Sequence, residues 1–162
     1  MSNEKQIDPR ELRNAYGTFA TGVTVITTTT PEGRREAITA NSFSSVSLDP
    51  ALLLWSIGRD SRSFDAFNGC DHFAIHVLGE DQQELSNRFA SKDLTDKFAG
   101  FDIEEGIAGL PLLTDYCARF QCSIYNRYEG GDHIILVGRV LDYDTRENDP
   151  LVFHGGRYRR IA

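Results

Sequence analysis

The chain of 162 residues carries 24 acidic and 17 basic side chains, a formal net charge of −7, and 40% of its residues are apolar. An acidic chain of this length is typical of one globular domain and argues against nucleic acid and anionic membranes as partners. Its apolar runs are far shorter than the roughly 20 residues that span a bilayer. Met1–Gln6 lacks the apolar core of a secretory signal. We expect a cytoplasmic protein with one domain over residues 1–162, of which residues 1–8 are flexible.

The amino-terminal half predicts a helix followed by short strands. Asp8, Pro9 and Glu11 combine an N-cap, a first-turn proline and an acidic third position, which predicts a helix start. One apolar stripe for docking follows on this helix, formed by Leu12, Ala15, Tyr16 and Phe19. The β-branched and apolar runs after it predict strands at 23–28, 36–42, 52–57 (buried on both faces) and 72–78, with a turn at 31–33 and a short helix at 60–68.

The carboxy-terminal half adds a second capping pattern and longer strands. Asp81 and Glu84 precede Leu85 and Phe89, which predicts another helix. We also expect a helix at 93–98, a long loop at 100–111, and strands at 118–128, 134–143 and near residues 151 and 158. About seven strands with short peripheral helices, and no GxGxxG after a strand, favour a mostly antiparallel β-barrel over a βαβ array.

The cysteines and histidines do not indicate a disulfide framework or a metal site. Cys70, Cys117 and Cys122 are odd in number and show no CxxC spacing, which predicts buried, reduced thiols. Cys70, His72 and His76 alternate along one strand face but have no evident fourth ligand, so no metal site is predicted. The absence of a GxSxG motif argues against a hydrolase.

A polar segment leads into the apolar run of the third strand. Six of the nine residues in Thr39–Ser47 carry a hydroxyl or amide side chain. Such a segment can present hydrogen-bond donors to the edge of a planar polar ligand while Phe43 and Val46 pack nearby. The alternative is an exposed edge strand with a Ser/Thr-rich face.

Two further segments combine a chain reversal with polar side chains. Arg59–Ser63 lies where a strand gives way to a helix, so its free N–H groups, its hydroxyls and Arg62 can hold a phosphate. Capping of the helix by Asp60 or Ser61 is the alternative. Gly130–His133 places His133 at the start of a strand. There the histidine either has a structural role or forms a hydrogen bond to a ligand.

These segments, in this order, resemble the short-chain flavin reductase family. The similarity covers the chain from about Leu12 to Arg160. It is carried by Tyr16–Thr27, by the most specific signature Asn41–Pro50, by Phe73–Leu78 with Glu80–Gln82 and Arg88–Ala90, and by Gly131–His133 and Gly155–Tyr158. The chain departs from residues common in the family at Ala37–Ile38, Ala51 and His76, and the first of these bears on the pocket over the flavin.

The resemblance implies a mainly β fold, a Greek-key split barrel of the FMN-binding type with short flanking helices, assembled as a homodimer. It implies NAD(P)H binding by Asp132, His133 and Tyr158, with His133 as the catalytic residue. The implied flavin-binding residues are Thr39, Asn41, Ser42, Ser45, Val46 and Ser47 along the isoalloxazine, Ser61, Arg62 and Ser63 at the phosphate, and Ser86 and Phe89.

The implied activity is that of an NAD(P)H:flavin oxidoreductase. It transfers hydride from NADH, or NADPH, to FMN, or FAD, and supplies reduced flavin to a partner monooxygenase. Two alternatives stay open, a flavoprotein whose tightly bound FMN reduces another acceptor, and a non-catalytic flavin- or haem-binding split barrel. Binding of anionic cofactors requires local positive charge, for which the candidates are Arg59, Arg62, Arg88, Lys92, Arg157, Arg159 and Arg160.

Overall fold

Antiparallel strand pairing organises most of residues 4–162, the part of the chain that the computed structural model describes. The strands are β1 (Thr21–Gly22), β2 (Thr24–Thr29), β3 (Arg35–Ala40), β4 (Ser44–Leu48), β5 (Ala51–Gly58), β6 (His72–Val77), β7 (Ile103–Glu105), β8 (Pro111–Leu113), β9 (Ala118–Gly130), β10 (His133–Thr145), β11 (Val152–His154) and β12 (Arg157–Arg159). The helices are α1 (Pro9–Tyr16), α2 (Phe64–Asn68), α3 (Gln83–Ala90) and a 3-10 turn at Ile107–Gly109.

One seven-stranded sheet has the order β3-β2-β6-β9-β10-β5-β4, and every pair in it is antiparallel. A three-stranded sheet β1-β11-β12 and the β7–β8 pair lie outside it. The sheets do not close, which agrees with the expected mainly β, split-barrel type of fold with short flanking helices. None of the helices within residues 4–162 is long and apolar enough to span a bilayer.

Helix α1 begins as the capping residues predict, but its apolar stripe is not covered. The Asp8 carboxylate accepts hydrogen bonds from the backbone N–H groups of Arg10 and Glu11, at 2.8 and 3.0 Å. Tyr16 and Phe19 nevertheless remain 71% and 76% exposed. The predicted docking surface is therefore without an occupant in the described part of this chain.

Five other expectations about local structure are wrong. Residues 93–98 form no helix, and the predicted loop at 100–111 contains β7 and the 3-10 turn. The helix predicted from residue 60 begins at Phe64. Strand β5 is not buried on both faces, because Leu53, Trp55 and Ile57 alternate with half-exposed neighbours, as is usual for antiparallel sheets. Asp81 does not cap α3, since the N-cap is Gln82 and makes no capping bond.

The main core lies between the large sheet and α2. Trp55 is fully buried, and the rings of Phe67 and Phe73 meet it edge-on at 5.0 and 6.0 Å between centroids. Cys70 and Cys122 belong to this core as free thiols, and burial raises the pKa of Cys122 to about 12. The third free thiol, Cys117, is only half-buried, so the prediction of buried, reduced cysteines is confirmed for two of the three.

His76 connects the sheet to the 103–113 region through a fully buried imidazole. Its Nδ1–H donates to the Val25 carbonyl at 2.9 Å, and its Nε2 accepts from the Leu113 N–H at 3.0 Å. This pattern requires the neutral ring, and burial lowers its pKa to about 4. Because both ring nitrogens are engaged, this histidine has no free lone pair for the metal site considered with Cys70 and His72.

We predict that His76→Asn makes folding less stable at pH 7.5 and that this difference shrinks as the pH falls. The shorter amide leaves a buried N–H unpaired, which costs about 1–3 kcal/mol. In the wild type, His76 takes up a proton near pH 6.5 in the unfolded chain but only near pH 4 in the folded chain. Wild-type stability therefore declines through that window, by up to about 3 kcal/mol.

Urea denaturation at pH 7.5 and pH 5 measures this difference. His72→Asn on the same strand is the matched control, because its half-buried ring keeps access to water and its replacement should have the smaller effect. A gap between wild type and His76→Asn that stays constant with pH would contradict the assignment of a neutral, buried ring.

Candidate functional site

A cleft of about 530 Å³ lies where β3, β5 and β10 meet the segment after α3. Its lining consists of residues 34–38, residues 58–63 without Arg59, residues 89–98 without Asp93, and His133. Small-molecule sites typically have volumes of roughly 300–1,000 Å³. The cleft is therefore large enough for a sizeable part of a nucleotide cofactor.

Strand register brings two of the predicted motifs to this cleft. His133, the first residue of β10, pairs with Gly58, the last residue of β5. The Arg59 N–H then donates to the Asp132 carbonyl at 2.9 Å, which holds the two reversals side by side. As a result, Ser61–Ser63 and His133 face one cavity although about 70 residues separate them in the sequence.

His133 is oriented by its neighbour. Its Nδ1 lies 2.7 Å from Asp132 Oδ1, and this hydrogen bond lowers the pKa of the Asp132 carboxyl. The ring is half-exposed, and a Cβ placed on Gly58 would lie 3.7 Å from its Nε2. The second ring nitrogen is thus directed toward the cleft end of β5, where it is available to a ligand.

The Arg59–Ser63 reversal does not cap α2 with a side chain. The N-cap of α2 is Ser63, which makes no capping bond, while the Ser63 N–H donates to Ser61 Oγ at 3.2 Å. The Ser63 hydroxyl instead donates to Glu36 Oε2 at 3.0 Å. The capping alternative considered for Asp60 and Ser61 is therefore not realised, and this loop is held against β3.

The cleft is locally basic in an acidic chain. Five basic and three acidic side chains line it, whereas the whole chain carries a net charge of −7. The basic ones are Arg34, Arg35, Arg62, Lys92 and Lys97, and the acidic ones are Glu36, Asp60 and Asp96. An anion that approaches this chain finds attractive charge here against a repulsive background.

Lys97 links three walls of the cleft. Its Nζ donates to the Ala37 carbonyl at 3.2 Å and to the Phe89 carbonyl at 3.0 Å. Burial lowers its pKa, although the Glu36 carboxylate opposes that shift. An ammonium has three N–H donors, so one remains after these two bonds.

Arg88 holds the same segment from outside the cleft. Its Nε donates to the Lys97 carbonyl at 2.8 Å, its Nη2 donates to the Ala99 carbonyl at 2.9 Å, and its guanidinium lies 5.2 Å from the Phe101 ring centre. The segment at 91–99 therefore owes its path to backbone carbonyls bound by two cations. Arg88 supplies structure here and does not line the cleft.

The Thr39–Ser47 segment runs from the cleft wall to the sheet edge. Thr39 Oγ1 donates to the Ser86 carbonyl at 2.7 Å. Ser42 Oγ accepts from the Ser56 N–H at 2.9 Å and donates to the Ser56 carbonyl at 3.1 Å. Since Ser56 lies two residues before Gly58, Ser42 sits roughly 7 Å along β5 from the cleft.

The rest of the segment lies farther from the cleft. Asn41, Ser45 and Val46 are exposed, and Ser47 is half-buried on the edge strand β4. None of these four residues lines the cavity. The structure therefore supports the edge-strand description of this part of the segment, while its first residues continue the cleft wall formed by 34–38.

Ser86, Phe89 and Tyr158 form a buried contact behind the cleft. The hydroxyls of Ser86 and Tyr158 lie 2.7 Å apart, and Tyr158 also donates to Asn87 Oδ1 at 2.8 Å. Phe89 is fully buried, packs edge-on against Phe98 at 5.3 Å, and lines the cleft. Tyr158 is thus tied to α3, and of these three residues only Phe89 borders the cavity.

The structure brings together five of the predicted site residues, together with Lys92 from the candidate cations, and it adds others. Ser61, Arg62, Ser63, Phe89 and His133 line the cleft. The main additions are Glu36, Lys97 and the Arg34–Arg35 pair. Lys97 was placed in a predicted helix and Glu36 in an ordinary strand, so neither carried a sequence signal for a site.

Comparison with known proteins identifies the family. The family model described as "Flavin reductase like domain" matches residues 16–162. The chain belongs to this family. It is 47% identical over 153 residues to the FMN reductase (NADH) SmoA of Agrobacterium fabrum, which covers 94% of this chain and 86% of the relative.

Two further proteins illustrate the range of similarity. A solved structure of the NADH:FAD oxidoreductase SgcE6 of Streptomyces globisporus, in complex with NAD and FAD fragments, has a TM-score of 0.89 and 36% identity over 98% of both chains. The reductase component of the flavin-dependent trigonelline monooxygenase of Acinetobacter baylyi is 43% identical over 92% of this chain. The chain spans 48% of that relative's length.

The residues of the cleft fit a flavin reductase. The hydroxyls of the 61–63 loop, Arg62 and the ammonium of Lys97 are donors for a phosphate. Ala37, Ile38 and Phe89 add apolar surface for a ring system. A donor set of this kind in a cleft with net positive charge matches a phosphorylated aromatic cofactor.

We predict that Lys97→Met destabilises the fold and loosens the 91–99 segment. Removal of the ammonium leaves two partly buried carbonyls without their donor, which should cost about 1–3 kcal/mol. Urea denaturation measures the loss of stability, and limited proteolysis measures how much more readily the 91–99 segment is cleaved. Lys92→Met on the exposed rim is the matched control and should change stability by less than about 0.5 kcal/mol. Equal effects of the two variants would contradict the linking role.

Proposed function

We propose that the chain is an NADH-dependent flavin reductase that supplies reduced FMN or FAD to a separate oxygenase. The observation that carries this proposal is the basic cleft in which Ser61–Ser63 and His133 converge. Relatives of this chain are named NADH-dependent FMN reductase, NADH-dependent FAD reductase and reductase subunit of a flavin-dependent monooxygenase. Of the functions that the sequence leaves open, this activity uses both the positive charge of the cleft and its oriented histidine.

We assign the phosphate end of the flavin to the 61–63 loop. Ser61, Arg62 and Ser63 line the cleft beside the free N–H of Lys97. The ring system then extends along Ala37–Ile38 toward the hydrogen-bonding groups that follow on the same strand. On this assignment the ring edge is directed toward Thr39 and Ser42, with Ser86 and Phe89 behind it. Asn41, Ser45, Val46 and Ser47 lie beyond the cavity on the edge strand, so any contact with the ring would come from a part of it that extends out of the cleft.

We assign the nicotinamide to the side of the cleft that carries His133. The bound flavin supplies the acceptor for the hydride of the reduced nicotinamide. The protein's contribution is to hold the two ring systems in contact and to exclude water from between them. Asp132 fixes the His133 ring through Nδ1, which leaves Nε2 to position the nicotinamide amide. Tyr158 supports α3 beneath this arrangement.

The proposed activity is tested by NADH and NADPH oxidation at 340 nm with FMN, FAD or no added flavin. We expect a rate that rises and saturates with added flavin, with a turnover on the order of 10 s⁻¹, and preference for NADH. His133→Asn should raise KM for NADH more than it lowers kcat, because the residue positions the nicotinamide. Activity independent of added flavin would favour tightly bound FMN, and binding of flavin without oxidation would favour a non-catalytic protein.

We further propose that the chain forms a cytoplasmic homodimer, organised as one flavin reductase-like domain per subunit. The support is apolar surface that the described chain leaves uncovered: Tyr16 and Phe19 beside α1, and Leu48, 96% exposed, on the edge strand β4. A second copy would bury both regions. Three free cysteines fit a reducing compartment.

Light scattering after size exclusion tests the dimer. We expect twice the chain mass of 18.2 kDa for the wild type and for Asn14→Glu, which places charge on the side of α1 opposite Tyr16. Tyr16→Glu should weaken association at least tenfold, because a charge would be buried in the interface. A wild type that elutes at the mass of one chain at all concentrations would contradict the proposal.

A further inference from the structure

A carboxylate already occupies the corner of the cleft beside Arg34 and Ser63. Glu36 Oε1 lies 3.1 Å from Arg34 Nη1, and the two side chains are 17% and 69% exposed, respectively. The carboxylate is therefore inside the cavity, while its arginine partner lies mostly in solvent at the rim. This arrangement differs from a surface ion pair, in which both partners are open to water.

The same carboxylate uses the donor of a residue assigned to the phosphate. Ser63, which is 5% exposed, donates its hydroxyl hydrogen to Glu36 Oε2 at 3.0 Å. A serine hydroxyl has one hydrogen to donate, and a phosphate oxygen offers only acceptors. Ser63 can therefore donate to Glu36 or to a phosphate, but not to both.

The basic side chains around Glu36 can likewise bind either its carboxylate or a phosphate. Lys97 donates to the carbonyl of Ala37, the residue next to Glu36, so its remaining N–H lies in this corner of the cleft. Arg34 is bound to the carboxylate, and Arg62 lines the same cavity. Glu36 thus accepts hydrogen bonds from donors that an incoming phosphate requires, and it adds a like charge close to where that phosphate would lie.

We propose that Glu36 competes with the flavin phosphate for this corner and thereby keeps flavin weakly held and exchangeable. The inference rests on the proposed flavin site and deepens it. When flavin binds, the carboxylate gives up the Ser63 hydroxyl and part of its contact with Arg34. The phosphate consequently contributes little net affinity, and reduced flavin leaves readily for an acceptor.

The competition predicts a difference between flavins with and without a phosphate. FMN must displace the carboxylate, whereas riboflavin, which has the same ring and ribityl chain, need not. Neutralising Glu36 should therefore strengthen FMN binding and leave riboflavin binding unchanged. FAD, which carries a pyrophosphate, should respond in the same direction as FMN.

The experiment is fluorescence titration of wild type, Glu36→Gln and Glu36→Ala with FMN and with riboflavin. We expect the Kd for FMN to fall about tenfold or more in both variants, because a charge-assisted bond no longer has to be broken. The Kd for riboflavin should stay within about twofold of the wild-type value. Stopped-flow release of FMN should slow by the same factor as the Kd falls.

The matched control is Glu104→Gln. Glu104 also pairs with an arginine at 3.1 Å, through Arg119 Nη1, but lies outside the cleft. Its neutralisation changes the net charge equally and should alter neither Kd. Thermal unfolding confirms that each variant is folded before titration.

Two results would overturn the inference: an unchanged or higher Kd for FMN in both Glu36 variants, or a fall in Kd for riboflavin equal to that for FMN. Arg62→Ala separates this outcome from failure of the flavin site itself. If that variant weakens FMN binding and spares riboflavin, the phosphate lies in the cleft and only the competition is refuted. If it affects neither ligand, the assigned phosphate position is wrong as well.

Discussion

The pairing of β10 with β5 determines where every other part of the site lies. From His133 opposite Gly58 to Arg139 opposite Leu52, the two strands stay in register, and their inward side chains form the centre of the core. A shift by one residue would turn Trp55 toward solvent, so burial of that ring strongly fixes the register. The fixed register then places the chain reversals at both strand ends next to each other.

The same constraint explains why the cleft is polar while the sheet beneath it is apolar. The reversals at 59–63 and 131–132 carry backbone groups that cannot enter the ladder, and they satisfy each other through the bond from Arg59 N–H to the Asp132 carbonyl. Side chains in these reversals are free to serve a ligand. The rigid strands thus hold the side chains of these loops in one place, as is common for binding sites.

Much of the framework was predictable because its signals are local. The Asp8–Pro9 start of α1 and the β-branched runs of the long strands depend on neighbouring residues only. The family resemblance supplied the split-barrel architecture and the reductase activity, which periodicity alone does not specify. The 61–63 loop and His133 were predicted as separate motifs, and only register shows that they share a cavity.

The expectations that were wrong concern segments shaped by distant contacts. Residues 93–98 have a helix-compatible sequence, but Arg88 binds the Lys97 and Ala99 carbonyls. The Lys97 ammonium in turn attaches the segment to the Ala37 and Phe89 carbonyls, and these contacts hold it in a non-helical path. Gln82 likewise takes the place expected of Asp81, because its side chain bridges the Gly79 N–H and the Asp115 carbonyl. Asp115 lies 33 positions from Gln82, so this contact is not evident from the local sequence. Glu36 escaped notice for the same reason, since its importance comes from Ser63, 27 positions away.

The contacts that hold the 91–99 segment affect how the sequence of this protein can diverge during evolution. Arg88 binds main-chain oxygens of the segment, and Lys97 attaches the segment to main-chain oxygens of β3 and α3. Every amino acid possesses such oxygens. The exposed side chains of the segment, such as those of Lys92, Leu94 and Thr95, can therefore be replaced without moving the backbone. Substitutions in this wall of the cleft can therefore change the preference for cofactors or acceptors while the backbone keeps its path.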